Sequence, residues 1–258
     1  MPGKAVTALR RLRYRRQPGV LVLRYHRIAQ LECDPHAIAV HPQSFREHLN
    51  ILRSRFAPHA LSSMVQTLDQ GSLPERGVVL TFDDGYADNL WEAKPALEQY
   101  EIPATVFVTT GYIGRGREFW WDELERVLLQ PGTLPSTLQL DIDGRTHEWK
   151  LGRAARYSED DYARFRSWNW RQRTKPTGRH RLFRRLFRLL QPMGEHARDA
   201  LLQALHTWAG TESIVRPTHR ILTTDELIQL AEGTLLEIGA HSVTHRPLPK
   251  LPVAEQMQ

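Results

Sequence analysis

One cysteine, Cys33, among 258 residues excludes an internal disulfide framework and any zinc site built from several thiolates. No apolar run approaches the roughly 18–20 residues of a membrane-spanning helix. A secretory leader is not legible either. The basic residues Lys4, Arg10, Arg11, Arg13, Arg15 and Arg16 are followed by Gln17-Pro18-Gly19 and then only VLVL before Arg24, too short for a signal core. The expected location is therefore cytoplasmic, with the inner face of the membrane within reach. There is no internal repeat, and the composition excludes a collagenous, coiled-coil or disordered chain. Its length suits one large domain or two small ones.

What is abundant is positive charge. Thirty-five Lys and Arg stand against 29 Asp and Glu, a net charge of +6. The excess sits in a basic N-terminal arm, residues 1–19, and in RQRTKPTGRHRLFRRLFRLL, 171–190. In the second segment Leu182, Phe183, Leu186, Phe187 and Leu190 recur at helical spacing between arginines, which predicts an amphipathic helix with a solvated basic face. One reading of that face is a peripheral contact with anionic lipid headgroups or an anionic glycan. Nucleic acid is not an expected partner, because no recognition motif accompanies the charge.

Apolar runs at 20–26 (VLVLRYH), 77–82 (GVVLTF), 104–110 (ATVFVTT) and 234–240 (TLLEIGA) predict buried strands. Helical spacing between them, over 43–70 and 88–100 and again at 223–233, argues for parallel β-α units. Ser44 with Glu47 reads as a capping box, Pro95 as a kink or late start, and Thr224 as a cap. Residues 115–220 break the alternation and predict a long, mostly helical insertion with a hairpin turning at Asp143-Gly144. Its tryptophans (Trp120, Trp121, Trp149, Trp168, Trp170, Trp208) are expected mainly in the core. Some are candidates for a sugar-stacking wall, Trp121 among them.

Two clusters carry chemistry, each where a strand ends. TFDDGY (81–86) sets two adjacent carboxylates before Gly85. Alternation along a strand lets Asp83 and Asp84 take different tasks, and parallel α/β sheets hold their sites at the carboxyl ends of strands. HSVTH (241–245) sets two histidines four residues apart, able to face one centre if the chain turns helically between them. One carboxylate and two imidazoles make a three-ligand site with an open position, suited to Zn²⁺ or a similar divalent ion. The second carboxylate is then free to act as a base. That inventory suits hydrolysis of an amide or ester carbonyl.

TFDDGYADN (81–89), PATVFVTTGYIG (103–114) and EIGAHSVTHRPL (237–248), with VLRYHRI (22–28) as an opening strand, resemble the polysaccharide deacetylases of the NodB-homology, carbohydrate esterase 4 type. FWWDELE (119–125) fits a bacterial subgroup with an insertion. The resemblance implies an α/β fold, an incomplete distorted (β/α) barrel spanning 20–258, with the insertion at about 115–220. It implies metal-dependent removal of acetyl from N-acetylated sugars, less often from O-acetyl esters. The implied metal ligands are Asp84, His241 and His245, holding Zn²⁺ first and Co²⁺, Ni²⁺ or Fe²⁺ as alternatives. Asp83 is the implied general base and the Tyr86 backbone N–H an oxyanion donor. His26, at the end of the opening strand, is a candidate for lining the cleft. The implied substrate is an acetylated glycan or a lipid-linked sugar. Few residues follow His245, so the closing strands, and with them the general acid, are expected to be missing and the chain to be a truncated member. A catalytically silent carbohydrate- or membrane-binding protein, or a hydrolase of another amide, are the alternatives that the residues leave open.

Overall fold

The computed structural model describes residues 19–142 and 144–256. Residues 1–18 of the basic arm, and Asp143 of the expected hairpin turn, lie outside the described residues. The first half of the chain runs β1 (Leu21–Tyr25), β2 (Arg27–Ile28), β3 (Ala39–Val40), α1 (Pro42–Arg55), β4 (Ala57–Pro58), α2 (Leu61–Asp69) and β5 (Gly77–Asp84). A π-helical turn at Asn89–Ala93 leads into α3 (Lys94–Tyr100) and β6 (Ala104–Val108). Then come α4 (Trp120–Leu129), β7 (Gly132–Thr133), β8 (Thr137–Ile142), β9 (Arg145–Lys150), β10 (Arg156–Tyr157), α5 (Glu159–Phe165), α6 (Gly178–Leu190) and α7 (Glu195–Ala209). The chain returns through α8 (Thr224–Ala231) to β11 (Leu236–Ala240) and a short α9 (Val253–Gln256).

The central sheet has the order β1-β5-β6-β11, and β4 pairs with the start of β5. Every pair in it is parallel. All eight residues of β5 are buried, as a central strand covered on both faces requires. The register sets Asp83 opposite Phe107 and Asp84 opposite Val108, and the same end of β6 lies beside Ala240 of β11. Both chemical clusters therefore emerge at one end of the sheet. This is a mixed α/β fold with an open parallel sheet, as in an incomplete, distorted barrel.

Two apolar cores meet behind that end. One packs the sheet against α1 and α3 through Tyr25, Phe45, Leu49, Phe82, Leu97 and Val106. The other fills residues 112–221 with Phe119, Trp120, Leu124, Leu128, Leu138 and Phe183, and Tyr86 of the β5 turn reaches into it. The expected hairpin forms as antiparallel β8 and β9. In α6 the predicted stripe Leu182, Phe183, Leu186, Phe187 and Leu190 is buried, together with Arg179 and His180.

Several local expectations shift. Helix α1 is capped by His41, whose ring accepts from Gln43 N, with Pro42 in the first turn, not by Ser44. Proline suits that position because its missing N–H has no helical partner there. Helix α8 is capped by Thr223 in a capping box with Glu226, one residue before the expected Thr224. Pro95 falls in the first turn of α3 after the π-helical turn, the late start that its ring allows.

Candidate active site

Asp83 and Asp84 end β5, and the strand does not simply alternate there. Asp84 has φ 78° and Gly85 φ 88°, so two consecutive left-handed residues swing the chain off the sheet. Glycine takes this conformation freely, whereas aspartate is held in it at a cost. The outcome is that both carboxylates face His241. Asp84 Oδ1 is 3.7 Å from His241 Nε2, and Asp83 Oδ2 is 4.0 Å from the same nitrogen.

The histidines reach this point on a loop tied to β6. His241 N donates to Val108 O at 2.8 Å, Thr110 N to Ser242 O at 3.1 Å and Gly111 N to Val243 O at 2.9 Å. A Cβ on Gly111 would stand 2.5 Å from Val243 O, so only glycine permits that approach. The loop is not the helical turn that the four-residue spacing suggested. Ser242 and His245 both have positive φ, 57° and 54°, and His245 N is held by Ser242 Oγ at 3.1 Å. This curl brings His245 Nε2 to 3.2 Å from Asp84 Oδ1.

One ligand atom each from Asp84, His241 and His245 lies within 4.8 Å of the others. Asp84 is 2% exposed, and its Oδ1 is buried with no hydrogen-bond donor. An orphaned buried carboxylate oxygen facing two imidazole nitrogens is poor as a hydrogen-bonded cluster and good as a cation site. Burial alone would raise the Asp84 carboxyl, but His245, His26 and His241 outweigh it and hold it below the usual carboxylate range. The donor set of one oxygen and two nitrogens fits borderline divalent ions.

His26 stands beside Asp83: its Nε2 is 4.0 Å from Asp83 Oδ2, and Asn89 Nδ2 donates to its carbonyl at 2.9 Å. Burial pulls its imidazole below the ordinary range, against the opposing pull of Asp84 and Asp83. Sequence reasoning missed Arg24. It lies in the same apolar run, on β1, and its Nη1 is 3.8 Å from Asp83 Oδ2. Trp121, nominated for sugar contact, is 5% exposed. One face is stacked on Phe119 at 4.3 Å, and the ring meets His245 instead of solvent, centroids 4.9 Å apart. Tyr86 is fully buried behind the two aspartates.

The acids of the 118–125 segment are also buried, a fact that sequence reasoning missed. Arg216 Nε donates to Glu118 Oε1 at 2.9 Å, and its Nη1 pairs with Glu125. Glu123 is held by Arg117 at 3.0 Å and His206 at 3.2 Å. The partners lie far along the chain, so no local pattern signals the pairing.

A family profile described as polysaccharide deacetylase matches residues 70–134, the stretch that contains both aspartates and stops before both histidines. The fold carries the histidines to the aspartates. Over that stretch the chain is similar to the polysaccharide deacetylases. Among curated members it is 30% identical over 111 residues to the putative polysaccharide deacetylase YxkH of Bacillus subtilis (strain 168), covering 41% of this chain and 37% of that one. It is 28% identical over 118 residues to a poly-β-1,6-N-acetyl-D-glucosamine N-deacetylase of Staphylococcus aureus (strain MSSA476), covering 41% and 40%. The chain thus spans about two fifths of the length of these curated relatives. Among solved structures, IcaB from Ammonifex degensii is 29% identical, with 43% of this chain and 49% of that chain covered and a TM-score of 0.34.

Proposed function

We propose that this chain is a polysaccharide deacetylase, a metal-dependent hydrolase that removes acetyl from N-acetylated sugars of a poly- or oligosaccharide. The observation that carries the reading is the meeting of Asp84, His241 and His245 within 4.8 Å, with a second carboxylate, Asp83, beside them. Asp84, His241 and His245 would hold the ion, Zn²⁺ first and Co²⁺, Ni²⁺ or Fe²⁺ as alternatives. When bound there, a divalent ion polarises the acetyl carbonyl and lowers the pKa of an attacking water.

Asp83 accepts a proton from that water, and its buried position between His26 and His241 keeps it directed at the cleft. The Tyr86 backbone N–H, just past Gly85, donates to the oxygen that gains charge as the water adds to the acyl carbon. The C–N bond then breaks, and the sugar nitrogen needs a proton. His26, with Nε2 4.0 Å from Asp83 Oδ2, lines the cleft where that nitrogen leaves, and we assign it a role in turnover and not in holding the ion. The products are acetate and an amino sugar. The finer substrate reading, a β-1,6-linked N-acetylglucosamine polymer, rests on the likeness to the Staphylococcus aureus poly-β-1,6-N-acetyl-D-glucosamine N-deacetylase.

The solvated side of α6 supports a second feature, contact with an anionic surface. Arg181, Arg185 and Arg188 are exposed on it, and Arg171 and Arg173 are exposed nearby. Among the described residues no helix is long and apolar enough to cross a membrane, so any lipid contact would be peripheral.

The test is acetate release from N-acetylglucosamine oligomers. Chelation abolishes it and added Zn²⁺ or Co²⁺ restores it. Asp84→Ala abolishes metal uptake. Asp83→Asn and His26→Ala each keep the metal and lose about 10²–10⁴-fold in turnover. Turnover that survives chelation, or unchanged metal binding by Asp84→Ala, would overturn the reading.

A further inference from the structure

The loop that carries the two histidines is gripped from the insertion. Trp121 is the second residue of α4, and its ring packs at 61° to the His245 ring with centroids 4.9 Å apart. Its other side is closed by Phe119, stacked within 9° of parallel. The indole cannot turn in place. Its Nε1 donates to the Tyr86 hydroxyl at 2.8 Å, and that hydroxyl donates to Asp122 Oδ2 at 2.8 Å. The Tyr86 ring is itself covered by the Arg27 guanidinium, 4.2 Å from its centroid. Every member of this chain is buried, so a slipped indole would leave polar groups unpaired, at about 1–3 kcal/mol each.

A second contact comes from α7. Arg198, fully buried, reaches from behind to donate Nη2 to Thr244 O at 3.4 Å and lies 5.4 Å over the Trp120 ring. The carbonyl it meets is the one immediately before His245. The His245 side chain itself is 36% exposed, so one side of its ring is open to solvent and Trp121 supplies a wall on the other.

We propose that Trp121, locked by Tyr86 and Asp122, is a positioning residue that holds the His245 imidazole in its ligating orientation, so that the insertion helix sets the affinity of the site for a divalent cation. The inference rests on the metal-site reading above. Its physical basis is that a ligand ring already restrained loses less freedom on binding, which is why partners behind a ligand govern affinity.

The experiment uses the full chain, stripped of metal and titrated with Co²⁺, read by its d–d absorption and by calorimetry. Trp121→Leu removes the wall, and Tyr86→Phe keeps the ring but frees the indole. Trp168→Phe is the control. Trp168 is also buried and spends its Nε1–H on a backbone carbonyl, Thr174 O at 2.8 Å, but its ring partners are His180 and Phe183. Trp121→Leu is expected to weaken Co²⁺ binding about 10–100-fold, Tyr86→Phe by less, and Trp168→Phe not at all. The His245 ring-proton NMR shift in metal-free protein is expected to move in Trp121→Leu and to stay in Trp168→Phe. Co²⁺ affinity within about twofold of wild type in Trp121→Leu, a shift far below that range, would overturn the inference. If Trp121→Leu does not fold, Tyr86→Phe decides by the same two readings. If wild type takes up no Co²⁺, the metal-site reading fails, and the NMR shift alone still judges whether Trp121 positions His245.

Discussion

Asp122 sits next to Trp121 in sequence and receives the Tyr86 hydroxyl. Burial pushes its carboxyl up to about 8 from 3.8, against the counter-pull of Arg27. The sign follows from proton counting. Below about pH 4 the group is protonated folded and unfolded, and its contribution is fully present. Between about pH 4 and 8 the unfolded chain releases the proton and the folded chain keeps it, so stability falls as pH rises through that window. Asp122→Asn still offers an oxygen to Tyr86 but cannot ionise. Its melting temperature, relative to wild type, is therefore expected to climb from pH 4 to pH 8. Parallel melting curves for the two proteins across that range would show that the Asp122 proton plays no part. Asp122 also shows where residue type misleads. An aspartate in a first helical turn reads from sequence as a solvated, dipole-favoured charge, whereas here it is 5% exposed because Tyr86 of the β5 turn and Arg27, which covers the Tyr86 ring, close over it.

At the scale of elements, α4 illustrates how a motif can be legible while its physics is not. FWWDELE reads as a helix start with acids in the first turn, and it is one. The same acids face inward, and Arg216 from the far end of the insertion binds Glu118 and Glu125 and donates to Asp122 O at 3.0 Å. Removing one partner of a buried ion pair costs far more than the pair contributes, because the remaining charge stays desolvated. Arg216→Ala is therefore expected to destabilise the protein by about 3–5 kcal/mol. Thermal and urea unfolding would measure it, and a loss below about 1 kcal/mol, the range of an exposed pair, would contradict it. Strands were the more legible elements. β5 and β6 sit where their apolar runs lie, and the sheet continues through Asp83 and Asp84, beyond the expected end at Phe82. The polar ends of a strand carry no hydrophobic signal, so a register that keeps hydrogen bonds through two carboxylates is invisible until β6 is in place.

For the whole molecule, two apolar cores share one functional end. The insertion contributes Trp121 and Arg198 to the loop that bears the histidines, so a segment that reads as an interruption of the α/β pattern is part of the site's support. Its outer surface is a separate matter. The arginines of α6 make a surface whose attraction for anionic lipid would be long-range and screened by salt. The chain is expected to co-sediment with phosphatidylglycerol vesicles at low ionic strength and to be released at high salt. Replacing Arg181, Arg185 and Arg188 with Gln is expected to reduce that binding and leave acetate release from short oligomers unchanged. Equal binding to neutral phosphatidylcholine vesicles would sink the electrostatic account.

The sequence by itself determined which residue types end the strands, the parallel α/β pattern, the buried stripe of α6 and the two clusters of aspartate and histidine. These are local properties, set by hydrophobic period and strand length, and they survive any tertiary arrangement. Only the tertiary structure decided that Asp84, His241 and His245 converge, that both aspartates turn toward His241, that His26 and Arg24 flank Asp83, and that Trp121 backs His245. Each of those depends on the register of β5, β6 and β11 and on partners from distant segments. A buried charge or an orphaned carboxylate becomes tolerable only once such partners arrive, and nothing in a local stretch of chain announces them.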